Sequence, residues 1–96
     1  MRKKRVIGEK ERAELRLALT DCLISLRKRR DISQERLAAE TGTGRAYMSA
    51  LERGMHSPTI ETIYKLLRGL GVTYSEFAVE FEHSLARVQR RNKNRG

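Results

Sequence analysis

The stretch TGTGRAYMSALERG, residues 41–54, carries the pattern that decides the fold. Two glycines and two threonines lead directly into a helical segment over 44–53, and Gly54 ends it. On a helical wheel Met48 and Leu51 point to one side, and Arg45, Ala46, Ser49, Ala50 and Arg53 to the other. The apolar side suits a core. The free side is small and polar, and Arg45, in the first turn, is its long donor.

Upstream, Ser33 is a good N-cap for a short helix, QERLAAE, with Glu35 favourably placed in its first turn and Gly42 as a left-handed stop. Before it, a long helix is predicted over about 9–29. Leu15, Leu19, Cys22, Leu23 and Leu26 form its apolar stripe, and four basic residues, 27–30, oppose the dipole at its end. Downstream, Ser57 or Thr59 caps a fourth helix beside Pro58, with Ile60, Ile63, Leu67 and Leu70 facing inward and Gly71 closing it. TYSE, residues 73–76, is a capping box that opens a fifth helix with the stripe Tyr74, Phe77, Phe81, Leu85 and Val88. No internal repeat or Pro-rich linker interrupts the chain. The expectation is one all-α domain of five helices, with an extended first helix and a long last one.

Charge placement narrows the function. The chain has 96 residues and a formal net charge of +9. Residues 1–5 and 87–96 hold the whole excess, whereas 69–86 carry only acids among fully charged groups. A basic middle with basic ends suits a polyanion. No apolar run approaches the roughly 18 residues needed to span a bilayer, and the basic start has no apolar segment behind it, so neither a membrane span nor a signal peptide is expected. A single cysteine, Cys22, cannot form an internal disulfide, and it reads as a small buried residue in a reducing, cytoplasmic setting. His56 and His83 have no nucleophile or metal partner, so no enzyme, no metal site and no cofactor is expected. Glu76, Glu80 and Glu82 read as a solvated face of helix five.

Two short helices joined by a Gly-containing turn are the helix-turn-helix signature. Small residues on the free face of the second helix let it sink into a groove roughly 12 Å wide, with Arg45 reaching a base edge. From Leu26 to Val72 the chain resembles the helix-turn-helix family of phage repressors and Cro proteins, the xenobiotic-response-element family. LRKRRDISQERLAAETG and MSALERGMHSPTIETIYKLLRGLGV carry that resemblance, with Ser33-Gln34, Leu37-Ala38, Gly42, Leu51, Glu52-Arg53-Gly54, Pro58 and Leu70-Gly71-Val72 at the family's spacings.

The resemblance implies a lambda-repressor-like DNA-binding domain over 9–91, between a flexible basic arm (1–8) and a disordered basic tail (92–96). Gly44, Arg45, Ala46, Ser49 and Ala50 occupy base-facing positions. Ser33, Gln34, Thr43, Tyr47, Arg53 and His56 fall where phosphates are met, although packing is the alternative role for Tyr47. Arg27 and Glu52 match a buried structural ion pair. The chain departs from the family pattern at Thr41 and Thr43, where apolar residues are usual and a looser turn is expected. Gly44, Ala46 and Ala50 likewise replace common polar readers, which leaves specificity to lean on half-site spacing and DNA shape.

The first helix starts at least twelve residues before the family needs it, adding roughly 18 Å at 1.5 Å per residue. Its stripe and that of helix five, Phe77, Phe81, Leu85 and Val88, either pack on each other or form a two-fold interface. The expectation is a homodimer on a palindromic double-stranded DNA operator: a nucleoid-associated transcriptional repressor. An antitoxin-type protein-interaction module and a less specific nucleic-acid binder are the alternatives.

Overall fold

The computed structural model describes residues 6–94 and resolves them into α1 (Glu9–Arg29), α2 (Gln34–Thr41), α3 (Arg45–Glu52), α4 (Ile60–Leu70) and α5 (Tyr74–Asn94). Of the basic arm expected over 1–8 and the disordered tail expected over 92–96, residues 1–5 and 95–96 lie outside the described residues. Among the described residues there is no strand, and no helix is long and apolar enough to cross a membrane.

Local chemistry explains each boundary. The Ser33 hydroxyl accepts the Arg36 amide at 3.0 Å and opens α2. Thr59, rather than Ser57, caps α4 by accepting the Thr62 amide at 3.2 Å. Thr73 and Glu76 form the reciprocal box at the start of α5, with bonds of 3.0 and 3.1 Å. The α2–α3 turn needs φ of 68° at Gly42 and 83° at Gly44, a region in which a side chain is strained.

The core is shared by all five helices. Cys22, Leu23 and Leu26 of α1 meet Leu37 and Ala38 of α2, Met48 and Leu51 of α3, and Leu66, Leu67 and Leu70 of α4; Phe77 and Phe81 of α5 pack against the cluster half-buried. Burying Met48 or Leu51 contributes about 1.5–3 kcal/mol each. Gly69 brings α4 close to α2: a Cβ there would lie 2.7 Å from Thr41 Cγ2 and 2.9 Å from Leu37 Cδ1.

α1 and α5 run antiparallel, each about 31 Å long at 1.5 Å per residue. Ala18, Cys22 and Ser84 are fully buried, and their small side chains let the two helices close together. Polar groups clasp the seam. Arg87 donates to Asp21 Oδ2 (2.7 Å), Ser84 Oγ (3.0 Å) and Glu80 Oε2 (3.3 Å), Arg29 pairs with Glu80, and Asn92 Nδ2 donates to Glu14 Oε2 at 3.0 Å.

Several expectations are corrected here. Glu80 is buried beneath Arg29 and Arg87, so it does not belong to a solvated face. α5 runs on to Asn94, past the expected limit at 91, because Asn92 is tied to α1. Ile60 points outward, since the first residue of α4 lies beyond the core edge. Leu15 and Tyr74 are also exposed rather than packed away. Val88 is 4% exposed and packs within the monomer, so its expected place in a dimer interface is withdrawn.

Candidate nucleic-acid interface

Buried anchors set the direction of α3. Met48 and Leu51 hold its inner side, and Thr20 of α1 donates to the Leu51 carbonyl at 3.1 Å near its C-terminus. Opposite these anchors the face carries Gly44, Arg45 and Ala46, all exposed, with Ser49 and Ala50 half-exposed. It presents no bulky side chain over its length except Arg45.

Glu52 closes the unit against α1 and α2. It accepts Arg27 Nε at 2.6 Å and Arg27 Nη2 at 2.9 Å, a bidentate pair whose side chains are 14% and 7% exposed. The hydrogen bond to Glu52 raises the Arg27 pKa. Gln34 Nε2 donates to the same carboxylate at 3.1 Å, and Arg27 Nη1 donates to the Ile32 carbonyl at 2.9 Å. One network therefore ties α1, the α1–α2 turn, the start of α2 and the end of α3. In this structure Gln34 faces that network, with its side chain half-buried.

The turn is hydrogen-bonded where an apolar contact is usual. Thr41 Oγ1 donates to the Leu37 carbonyl at 2.7 Å and sits 3.0 Å from Thr43 Oγ1. Tyr47 stacks on His56, with ring centroids 4.9 Å apart and planes inclined by 12°, which lays the 54–59 loop against α3. The Met55 amide adds a bond to the Ala50 carbonyl at 2.9 Å. Arg53 is exposed and makes no ion pair among the described residues. Ser33 is committed to capping α2 through its acceptor oxygen. Direct contacts therefore join Gln34 to Glu52 and Tyr47 to His56, whereas Phe77, Phe81, Leu85 and Val88 lie on α5.

One partner escaped the sequence reading. Arg45 Nη2 donates to Glu35 Oε1 at 3.1 Å, with both side chains well exposed. The signal was an acid in the first turn of one short helix and a base in the first turn of the next, which only the angle between the helices brings together. Among the described residues no group of His, Cys, Asp and Glu side chains could hold a metal ion.

An apolar groove of about 370 Å³ is lined by Leu15, Leu19, Pro58, Ile63, Phe77 and Phe81, together with Arg12, Arg16 and Ser57, so the 54–59 loop borders it as well. Leu15 also lines a smaller groove of about 160 Å³ with Ile7 and Leu85, where Glu11, Glu14 and Gln89 make the other half of the lining, so the two grooves meet at Leu15.

A helix-turn-helix family model matches residues 23–77, more than half of the chain. The chain is 41% identical over 51 residues to y4dJ of Sinorhizobium fredii (strain NBRC 101917 / NGR234), an uncharacterized HTH-type transcriptional regulator; the match covers 53% of this chain and 66% of that one. It is also 41% identical over 59 residues to the HTH-type transcriptional regulator SutR of Escherichia coli (strain K12), covering 62% of this chain and 33% of that one. The chain therefore spans under two thirds of the length of either relative. The crystal structure of the clp gene regulator ClgR from Corynebacterium glutamicum superposes with a TM-score of 0.75 at 27% identity, over 84% of this chain and 87% of that one. With its buried Met48–Leu51 anchor, its glycine turn and its matched span, this five-helix chain belongs to the helix-turn-helix family.

Proposed function

We propose that this protein is a sequence-specific, double-stranded DNA-binding transcriptional regulator, acting as a repressor with α3 in the major groove. One observation carries the reading. Between Arg45 in its first turn and Arg53 at its C-terminal cap, the outward face of α3 holds only small residues, on a helix fixed from behind by Met48, Leu51 and the Arg27–Glu52–Gln34 network. A groove roughly 12 Å wide admits such a helix, and an arginine at its first turn reaches the O6 and N7 acceptors of guanine. Arg53 and His56, beside α3, fall where the phosphate backbone runs. The relatives' description as HTH-type transcriptional regulators supports the same reading. Occupation of an operator that overlaps a promoter excludes other proteins from it, which is the route to repression in this reading.

The working unit is a two-fold homodimer. Direct readout by one arginine per chain is thin, and two half-sites double it. Leu15, Phe81 and Leu85, lining the two grooves along α1 and α5, offer the apolar surface, and pairing there would space the two α3 helices by one turn of DNA, roughly 34–36 Å, or a multiple of it.

Selection of bound duplexes from a random pool tests this directly. The expected result is an enriched palindromic site with a guanine in each half, on which Arg45→Ala loses about 1–3 kcal/mol while random DNA is nearly unaffected. A pool without enrichment, or equal losses on both DNAs, overturns sequence-specific reading in favour of general polyanion binding.

A further inference from the structure

We infer that Glu35 is a specificity-determining residue that works through Arg45, suppressing binding to DNA that lacks the matching base. The inference rests on the DNA-binding reading above and deepens it.

Arg45, the long donor in the first turn of α3, is already engaged before any DNA is present, with its Nη2 3.1 Å from Glu35 Oε1. Both groups are exposed, with side-chain accessibilities of 72% and 64%, so the pair contributes little to folding and its consequence lies elsewhere. Glu35 follows Gln34 at the start of α2, and its reach to Arg45 places a carboxylate at the mouth of the surface that would face phosphates. A carboxylate there is repelled by every duplex, whatever its sequence. It also neutralises the guanidinium, weakening the attraction that would otherwise let Arg45 settle on any phosphate.

A guanine in register changes the balance. Its two acceptors take a bidentate arginine, which a phosphate reached at the wrong angle does not replace. Arg45 can meet them with its remaining donors while Glu35 holds the guanidinium plane. Glu35 therefore acts as a repulsive element whose cost is offset only on the correct site. Glu40, on the same helix, offers an internal comparison: it pairs with Arg36 at 2.9 Å and makes no contact with Arg45.

The test measures dissociation constants of the full chain on two duplexes of equal length, the selected operator and a random sequence. Glu35→Gln is expected to tighten random-duplex binding by roughly three- to ten-fold and operator binding by less than about two-fold, lowering the specificity ratio. Glu40→Gln, with the same charge change, should leave that ratio intact. In an Arg45→Ala background Glu35→Gln should no longer alter it. If both duplexes gain equally from Glu35→Gln, or Glu40→Gln gives the same loss of ratio, Glu35 is a plain charge and the inference falls. An effect that persists without Arg45 also overturns it. An unmodified protein that prefers no sequence would overturn the DNA-reading proposal itself, a result distinct from a preference that survives Glu35→Gln unchanged.

Discussion

Replacing Glu52 with Ala removes the acceptor on which three donors converge. Arg27 Nε and Nη2 lose partners at 2.6 and 2.9 Å, and Gln34 Nε2 loses one at 3.1 Å. What remains for Arg27 is one bond to the Ile32 carbonyl, on a side chain 14% exposed. Water cannot solvate that guanidinium without opening the junction of α1, α2 and α3, so the loss is of the size seen when a buried pair is broken, about 3–5 kcal/mol. A domain of this length has a total stability of about 5–14 kcal/mol. The substitution should therefore consume a large share of it and lower the melting temperature by on the order of 15–30 °C. Urea unfolding followed by helical circular dichroism gives the number, with a constant m-value confirming that the unfolded state is unchanged. The partially restoring control is Arg27→Met with Glu52→Met, which removes both charges and should recover most of the loss. A loss below about 1 kcal/mol, the range of exposed pairs, would refute the reasoning by showing that water reaches the pair.

Three further outcomes are expected. Gly69→Ala forces a Cβ to within 2.7 Å of Thr41 Cγ2, and urea unfolding should show a loss of about 1–3 kcal/mol from overpacking. Burial raises the Asp21 pKa, but hydrogen bonds with Arg87 and Ser84 outweigh it and hold the carboxyl below its ordinary value. The stability gained from Asp21 is then complete above its ordinary value of 3.8 and lost as pH falls through the lower folded value, so Asp21→Asn should differ from the unmodified protein at neutral pH and converge with it only once the pH lies below that folded value. That difference should stay under about 1 kcal/mol, because both side chains of the pair are partly exposed. Leu15→Glu, at a residue 36% exposed in the monomer, should leave the helix content unchanged and yield monomers in sedimentation that bind operator weakly; a persisting dimer would move the interface elsewhere.

The sequence announced the helix-turn-helix unit because each of its signals is local. The Gly42–Gly44 turn, the Ser33 cap and the Met48–Leu51 pair are all read within a few residues. The α1–α5 seam was misread because hydrophobic periodicity ignores polar members. The residues of α5 buried there are Glu80, Ser84 and Val88, spaced by four, and two of them are not apolar. At about 100° per residue the stripe of Phe77, Phe81 and Leu85 drifts off that arc toward the open groove, so it marked a neighbouring face rather than the seam. Glu35 and Arg45 are ten residues apart on separate helices, and no spacing rule links them. Ile60 looked like a core residue by type alone, but its position at the very start of α4 leaves it outside.

Cys22 gives the molecule a reporter of its own partial opening. The thiol is fully covered, sits 3.9 Å from the Phe77 carbonyl of α5, and is pushed up to about 12 by burial, with the carboxylates of Glu80 and Asp21 adding to the effect. A protonated, enclosed sulfur is inert to alkylation. Reaction therefore waits until α5 lifts away, and the labelling rate counts those excursions. Peeling of one helix and unfolding of the whole chain become separable, because only the second should scale with the full denaturant dependence of stability. The final helix acquires a measurable docking free energy, read chemically from a single atom.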